Sequence, residues 1–382
     1  MLLLRFSKHW MRLLSKLADS GVSTIAERVL AGEELSKREA CALMEEGDLY
    51  LLGFLADELR RRQVGDLVSF VVNRQINYTN ACVAGCKFCA FYRPPRSGEA
   101  YTLSVEEVVE KASQAAREGA TELHIVGAHN PELPFEYYES MLRELRRRFP
   151  ELHLKAFTAT EIAFFSRNFG MSIREVLLRL KEAGLRSMPG GGAEILDEEL
   201  RRQLCPGKAS AREWLRVMRT AHELGIKSNA TMLFGHVESL RHRVEHMIKL
   251  RELQKETRGF MSFIPLVYHP ENTPLKRSMP ELMRTSAVDV LRTIAVARIL
   301  LGESFRNIRA YWVMLGKKLA QVALHYGAND LDGTVVEERV AHAAGAETEQ
   351  FATREELVAL IREAGRVPVQ RSTDYRIIQR WD

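Results

Sequence analysis

The sequence predicts an α/β fold: a parallel (β/α) barrel of the TIM type, with a helical extension before it and a helical cap after it. From about residue 65, β-rich segments alternate with helical segments across short connections, which is typical of a parallel sheet. No Gly-x-Gly-x-x-Gly follows any of these strands, so an open dinucleotide-binding sheet is not supported. The number of repeated units favours a closed barrel.

Three regions follow from this pattern. Residues 1–64 carry apolar side chains at helical spacing and predict the helical extension. Residues 65–335 form the predicted barrel. Residues 336–382 form the predicted cap, whose helix begins at a capping box of Thr353 and Glu356.

The barrel elements are predicted in chain order. Strands are expected at residues 67–73, 122–127, 152–157, 226–234, 260–268 and 308–313, with a further strand near residues 189–194. Helices are expected at residues 134–149, 173–183, 210–224, 240–256 and 287–301. Pro134 is expected at the first helical position, which suits proline.

Composition excludes several classes of protein. The chain has 382 residues, a net charge of +5 and no long basic stripe interleaved with aromatics, so nucleic-acid binding is not expected. No apolar run reaches membrane-spanning length, and stable membrane insertion is not expected. The apolar stretch in the first ten residues is too short for a signal peptide, so we expect a cytoplasmic protein.

Three closely spaced cysteines carry the strongest chemical information. Cys82, Cys86 and Cys89 have no fourth partner nearby, because Cys41 and Cys205 are each isolated in the sequence. Three thiolates on a [4Fe–4S] cluster leave one iron open. That iron can bind the amino and carboxylate groups of S-adenosylmethionine (SAM) and pass it one electron, which splits it into methionine and a 5′-deoxyadenosyl radical. A zinc site, which needs four ligands, and coincidence remain as alternatives.

Polar residues at the carboxyl ends of successive strands extend this prediction, because active sites in parallel barrels lie at that end. Each has a simpler interpretation: Asn130 could build a turn, Arg74 could be a solvated charge, and any single histidine could be structural. The prediction rests on the set. Its polar members are Arg74, His129, Asn130, Glu161, Glu194, Thr231, His236, His269 and Arg309, and Gly127 and Ala128 belong to the same strand end as His129.

The cysteine loop resembles that of the radical SAM superfamily. Residues 76–93 are similar to a subgroup that holds two menaquinone enzymes of the futalosine pathway and a deazaflavin-precursor synthase. Residues 154–162, 229–236, 263–266, 269–273, 310–316 and 330–336 most resemble the aminofutalosine synthases. The resemblance extends over nearly the whole chain after residue 65.

This resemblance implies a reaction. The adenosyl radical would add to the enol-ether double bond of 3-[(1-carboxyvinyl)oxy]benzoate, and the adduct would rearrange and lose CO2 to give 6-amino-6-deoxyfutalosine. SAM would be a co-substrate, and a flavodoxin- or ferredoxin-like carrier would supply one electron. Cyclic dehypoxanthine futalosine synthase, deazaflavin-precursor synthase and an iron–sulfur redox sensor remain alternatives.

The resemblance also implies roles for individual residues. Arginines would pair with the two substrate carboxylates, and the candidates are Arg74, Arg93 and Arg309. The polar guides would be His129, Asn130, His236 and His269. Gly127 and Ala128 would lie along the methionine of SAM and Glu161 and Glu194 near its amine or ribose, with Phe88 and Thr231 completing the cofactor-binding set.

Overall fold

A computed structural model describes residues 20–382. The first 19 residues, which include the segment weighed as a signal peptide and the start of the helical extension, lie outside the described part. The strands are β1 (Leu67–Val71), β2 (Asn73–Ile76), β3 (Glu122–Ile125), β4 (His153–Ala156), β5 (Ser187–Met188), β6 (Lys227–Phe234), β7 (Phe260–Val267), β8 (Asp330–Gly333), β9 (Val367–Arg371) and β10 (Ile377–Arg380).

Helices cover the outside of these strands. They are α1 (Ser20–Leu30), α2 (Lys37–Glu46), α3 (Leu49–Val64), α4 (Val105–Arg117), α5 (Phe135–Arg148), α6 (Ala159–Asn168), α7 (Ile173–Ala183), α8 (Glu198–Leu204), α9 (Ala211–Glu223), α10 (Leu240–Thr257), α11 (Pro274–Ser278), α12 (Ala287–Leu301), α13 (Trp312–Leu315), α14 (Lys317–Ala323), α15 (Val340–Ala343) and α16 (Arg354–Glu363). No helix within residues 20–382 is both long and apolar enough to cross a membrane.

Backbone hydrogen bonds run around a complete ring of parallel segments. Strands β2 to β7 form a six-stranded sheet in chain order, and β8 pairs with β1, which continues into β2 after Val72. Residues 307–309 join the two sheets. The amide of Phe263 donates to the Asn307 carbonyl at 2.9 Å, and the amide of Ala310 donates to the Asp330 carbonyl at 2.8 Å. The predicted TIM-type barrel is confirmed.

Several details differ from the prediction. The strand predicted at residues 308–313 is reduced to single bridges at Ile308 and Arg309, because helix α13 begins at Trp312. Asp330, expected after the last helix, begins the short strand β8. Pro134 is the N-cap of α5, and the helix itself starts at the next residue.

The region predicted as a helical cap also contains strands. It holds α15 and α16, but β9 pairs in parallel with β1, and β10 lies antiparallel on β9. The segment before the barrel is helical from residue 20 onward, as expected. Helix α3 packs its buried leucines Leu51, Leu52 and Leu55 towards the core and contacts α12.

Charged side chains fill the lower part of the barrel interior. Lys155 Nζ lies 2.5 Å from Glu122 Oε1, and both side chains are fully buried. Arg371 Nε lies 2.5 Å from Asp330 Oδ2, also within the interior. Losing one member of such a buried pair is costly, because the remaining charge has neither water nor a partner.

Replacing Lys155 with Met tests this interior layer. The variant leaves the Glu122 carboxylate without its cation, so we expect the free energy of unfolding to fall by about 3–5 kcal/mol in denaturant titrations. The double variant E122Q/K155M removes both charges and should recover most of that loss. A double variant as unstable as K155M alone would contradict an ion-paired interior.

Candidate active site

A cavity of about 300 Å³ lies inside the barrel at the carboxyl ends of the strands. Its wall is built by alternate residues of each strand, because successive side chains in a strand point to opposite faces. The inward-facing residues on strands are Gln75, His124, Asn229, Thr231, Leu233, Ile264, Leu266 and Asp332. The three cysteines of the predicted cluster site line the same cavity.

The cysteine loop joins β2 to α4 and is held by backbone hydrogen bonds to separate parts of the chain. The amide of Cys82 donates to the Arg93 carbonyl at 2.8 Å, within the loop. The amide of Lys87 donates to the Leu204 carbonyl at 2.8 Å, and the Lys87 carbonyl accepts from the amide of Leu275 at 2.7 Å. Backbone bonds from the ends of α8 and α11 therefore hold the part of the loop that contains Lys87.

The donor set of this loop fits an iron–sulfur cluster. The amides of Ala84 and His129 each lie 3.4 Å from the Cys82 sulfur, so two N–H groups are directed at it. Burial raises the pKa of the Cys86 and Cys89 thiols, so their thiolate forms need a bound positive centre. Thiolates in an apolar, hydrogen-bonding pocket are the usual ligands of [4Fe–4S] clusters.

The arrangement is not that of a site for one metal ion. Within residues 20–382, no group of three His, Cys, Asp or Glu side chains is placed to hold one. Cluster thiolates each bind a different iron, so their sulfurs do not need to converge on one point.

Lys208 is a site residue that the sequence did not identify, because it reaches the site through a tertiary contact. The half-buried side chain of Lys208 places its ammonium 2.7 Å from Glu194 Oε1 and 5.2 Å from the centre of the Phe88 ring. Its charge also faces Cys86 and lowers the pKa of that thiol against the larger effect of burial. The pair of Lys208 and Glu194 thus borders both the cavity and the cluster loop.

Glu161 organises the turn after β3. Its Oε1 accepts hydrogen bonds from the Tyr78 hydroxyl at 2.6 Å and from the Gly127 amide at 3.0 Å. Its Oε2 accepts from the Thr158 amide and hydroxyl, both at 2.8 Å. A Cβ on Gly127 would lie 2.4 Å from the Tyr78 ring, so glycine is required there. Gly127, Ala128 and Glu161 all line the cavity.

Two predicted histidines line the cavity, and each has one ring nitrogen without a partner. His129 Nε2 lies 2.8 Å from the Thr160 hydroxyl, and burial lowers the pKa of His129 to about 3, so the ring is neutral. His269 Nε2 lies 2.9 Å from the Met314 carbonyl. A carbonyl only accepts, so Nε2 carries the proton and Nδ1 of His269 is an acceptor.

Two of the predicted arginines lie away from the cavity. Gln75 faces the cavity, so its neighbour Arg74 points outward, where its guanidinium pairs with Glu337 at 3.1 Å and with Glu118 at 3.4 Å. Arg93 pairs with the exposed Glu99 and donates to backbone carbonyls of its own loop. Neither arginine lines the cavity, so neither is placed to contact a ligand there.

Arg309 lies just behind the cavity wall. The buried guanidinium donates to Asp332 Oδ2 at 2.9 Å and to Asn229 Oδ1 at 3.4 Å, and both of these residues line the cavity. Its Nε also donates to the Tyr375 hydroxyl at 3.1 Å. Arg309 therefore acts on the cavity through these two side chains.

His236 and Asn130 also lie outside the set of cavity residues. His236 Nε2 lies 3.1 Å from the Leu233 carbonyl, and its Nδ1 lies 3.1 Å from Glu238. The Asn130 amide nitrogen donates to the Thr102 hydroxyl at 3.1 Å, and its side chain caps the turn that follows. Both residues therefore make structural hydrogen bonds: His236 holds the end of β6, and Asn130 builds a turn.

Comparison with known proteins identifies the chemistry of this site. Residues 76–250 match the family model "Radical SAM superfamily", and residues 257–381 match the model "CofH/MqnC C-terminal region". The aminodeoxyfutalosine synthase of Thermus thermophilus is 46% identical over 366 residues, which are 95% of this chain and 98% of that protein. The chain belongs to the radical SAM superfamily. This radical SAM enzyme uses a [4Fe–4S] cluster and SAM, so the sequence-based prediction of both is confirmed.

Archaeal relatives carry a different name. The 5-amino-6-(D-ribitylamino)uracil–L-tyrosine 4-hydroxyphenyl transferase of Methanocaldococcus jannaschii is 40% identical over 91% of this chain and 98% of its own length.

Among solved structures, methylornithine synthase superposes with a TM-score of 0.66 at 21% identity, covering 89% of this chain and 96% of that one. The FeFe-hydrogenase maturase of Carboxydothermus hydrogenoformans gives a TM-score of 0.71 at 17% identity over 96% of this chain and 83% of that one. At these identities the likeness shows the fold alone.

Gly207 allows a test of how the cluster loop is held. A Cβ at this position would lie 2.6 Å from the Ala84 carbonyl oxygen, so G207A should push the turn before Lys208 away from the loop. We expect G207A to bind less iron and sulfide after reconstitution and to lose cluster absorbance. The matched control is G98A, because a Cβ on Gly98 would meet no atom within 4 Å. Equal iron content in the two variants would show that this contact does not position the loop.

Proposed function

We propose that this radical SAM enzyme joins the adenosyl group of SAM to 3-[(1-carboxyvinyl)oxy]benzoate and releases methionine and CO2, forming 6-amino-6-deoxyfutalosine for menaquinone biosynthesis. The observation that carries the proposal is the 46% identity to the aminodeoxyfutalosine synthase of Thermus thermophilus over 95% of this chain. That similarity spans both the cysteine loop and the later strands, so it includes the residues that surround the cavity.

When bound, the cluster and SAM supply the adenosyl radical. The residues of the chain provide a closed place for it to react, because apolar side chains keep water from a reactive species. Leu233, Ile264 and Leu266 line one side of the cavity, and Tyr268 and Tyr311 lie nearby on its wall. A planar aromatic substrate suits such a wall.

Recognition of the two substrate carboxylates would rest largely on neutral donors. Among the cavity residues that the structure describes, Lys208 is the one lysine or arginine, and it already pairs with Glu194. Asn229 offers a second donor. Its Oδ1 accepts from the Ser262 hydroxyl at 3.0 Å and from Arg309 at 3.4 Å, which leaves its amide nitrogen to donate towards the cavity.

Arg309 is therefore proposed as a positioning residue. It keeps the Asn229 oxygen turned away from the cavity and neutralises Asp332, whose carboxylate also lines it. Without that compensation, a carboxylate on the wall would repel an anionic substrate. The neutral side chains Gln75, His124 and Tyr311 are further polar groups of the wall.

A second candidate reaction is transfer of a 4-hydroxyphenyl group from tyrosine to 5-amino-6-(D-ribitylamino)uracil. The archaeal relatives named for this reaction favour it, because one is 40% identical over 91% of this chain. Its tyrosine substrate also has an aromatic ring and a carboxylate, so the cavity wall described above does not separate the two candidates.

Product identification tests the proposal. The reconstituted, reduced enzyme would be incubated with SAM in three separate reactions. The first contains 3-[(1-carboxyvinyl)oxy]benzoate, the second contains tyrosine and 5-amino-6-(D-ribitylamino)uracil, and the third contains dehypoxanthine futalosine. We expect an adenosyl-containing product with the mass of 6-amino-6-deoxyfutalosine from the first incubation alone, because the substrate would receive the adenosyl group itself.

The control is the same incubation with C86S, which lacks a cluster ligand and should form no product. Free 5′-deoxyadenosine as the main product, or turnover of tyrosine with 5-amino-6-(D-ribitylamino)uracil, would contradict the proposal.

A further inference from the structure

One segment after the last barrel strand covers part of the cavity. Residues 336–352, which we call the strap, contain the short helix α15. The ends of the strap meet, because the amide of Ala352 donates to the Thr334 carbonyl at 3.0 Å. The strap residues that line the cavity are Glu338, Val340 and Ala341. The position of the strap therefore shapes the cavity.

Hydrogen bonds hold the strap against the barrel. Arg284 donates to the Gly345 carbonyl at 2.9 Å, and the Thr348 hydroxyl donates to the Val313 carbonyl at 2.9 Å. Just before the strap, Val335 has a φ of 50°. This left-handed backbone is unfavourable for a β-branched residue, so the hydrogen bonds of the strap must keep it in place.

His342 joins the two halves of the strap. Its Nδ1 lies 2.7 Å from the Glu338 carbonyl oxygen, and its Nε2 lies 2.9 Å from the Thr348 carbonyl oxygen. A neutral imidazole has one N–H, and a carbonyl oxygen only accepts hydrogen bonds. Both ring nitrogens therefore carry protons, and His342 is a positively charged imidazolium.

The carboxylate of Glu338 is the counter-ion of this ring. It lies 3.1 Å from His342 Nδ1, and it accepts hydrogen bonds from the amides of Val340 and Ala341 at 2.9 and 3.0 Å. The hydrogen bond to Glu338 raises the pKa of His342, whereas burial lowers the pKa of the cavity residue His129. Glu338 is buried at the cavity wall, so a neutral His342 would leave its charge without compensation.

Other charged groups near the strap do not replace this pair. Glu338 is the one charged side chain within residues 20–382 that bonds to the His342 ring. The elements packed against the strap bring further titratable side chains towards it, which are Lys111, His269, Glu271, Arg284, Tyr311 and Lys317. The charged ones have partners of their own, in the pairs Lys111–Glu337, Arg284–Glu271 and Lys317–Glu349.

We propose that His342 is a positioning residue: as an imidazolium it holds the strap over the cavity and compensates the charge of Glu338 there, so that loss of its proton weakens binding of an anionic substrate. His342 does not line the cavity and acts through Glu338. This role rests on the proposed function, because it requires a carboxylate substrate in the cavity, and like charges repel.

The direction of the pH dependence follows from the raised pKa of His342. Its contribution is complete below the ordinary histidine pKa of about 6.5 and is lost as the pH rises through the pKa in the folded protein. We therefore expect KM for 3-[(1-carboxyvinyl)oxy]benzoate to rise with pH in this range, with little change in kcat. The substrate carboxylates stay ionised throughout, since carboxyl groups titrate near pH ~4.

The variants H342Q and E338Q/H342Q test this role, and H242Q is the matched control. His242 accepts from the Ser239 amide at 3.0 Å in the capping box of α10, a position where Gln serves equally. Isotope-labelled histidines of the oxidised holoenzyme are titrated by NMR from about pH 5.5 to 8.5. Hydrogen exchange of the strap amides is compared among the variants at about pH 6, and KM and kcat are measured over the whole range.

We expect a histidine signal that is absent from H342Q and titrates with a midpoint above about 6.5. The strap amides should exchange faster in H342Q than in H242Q. At about pH 6, KM of H342Q should be about fivefold to tenfold above that of H242Q and independent of pH. E338Q/H342Q should have a lower KM than H342Q, because the uncompensated charge is gone.

A midpoint at or below about 6.5, equal strap exchange in H342Q and H242Q, or a double variant as impaired as H342Q overturns the role of His342. The titration and the exchange measurement need no substrate. They decide on the strap even if the wild type forms no 6-amino-6-deoxyfutalosine, which is the result that would refute the proposed function. If H342Q does not fold, the wild-type titration decides, and E338Q identifies the His342 signal by lowering its midpoint.

Discussion

Three thiols on one irregular loop must be held so that they bind three irons and leave the fourth facing a cavity. The rest of the site depends on this constraint. The loop contains no helix or strand between β2 and α4. Its shape is set by the hydrogen bond that the Lys87 amide donates to Leu204, by the one that the Lys87 carbonyl accepts from Leu275, and by the amides directed at the Cys82 sulfur. The turn at Gly207 approaches Ala84 closely enough to exclude a side chain. This close approach places Lys208 beside the cluster loop and the cavity.

The barrel interior divides into two zones with different physical roles. The upper zone is the cavity, with apolar walls, neutral polar groups such as His129, and the ion pair of Lys208 and Glu194 at its border. The lower zone is filled by buried ion pairs, including the pair of Glu122 and Lys155. The desolvation cost of these charges is offset only while each keeps its partner, so the stability of this zone depends on intact pairs. Arg309 links the zones, since it is buried in the lower one and holds Asn229 and Asp332 at the cavity wall.

Much of this architecture could be predicted from the sequence, and the failures have physical causes. The spacing of Cys82, Cys86 and Cys89 specifies a local chemical unit, and strand–helix alternation specifies the barrel. The direction of a side chain in a strand, however, changes with a shift of one residue, which is why Arg74 was assigned to the cavity and Gln75 was not. Strand β8 has the sequence Asp-Leu-Asp-Gly, which has low strand propensity and pairs only because the barrel encloses it. Lys208 reaches the site through a tertiary contact that sequence spacing does not encode.

The central claim is that the three-cysteine loop presents an open iron to the cavity, where SAM binds it. Electron paramagnetic resonance of the reduced, reconstituted enzyme tests this claim most directly, with and without SAM. Coordination of the open iron by the amino and carboxylate groups of SAM should change the line shape and g-values of the cluster signal. A reduced four-iron signal that stays the same at saturating SAM would contradict the account, because the cluster would then have no iron available to the co-substrate.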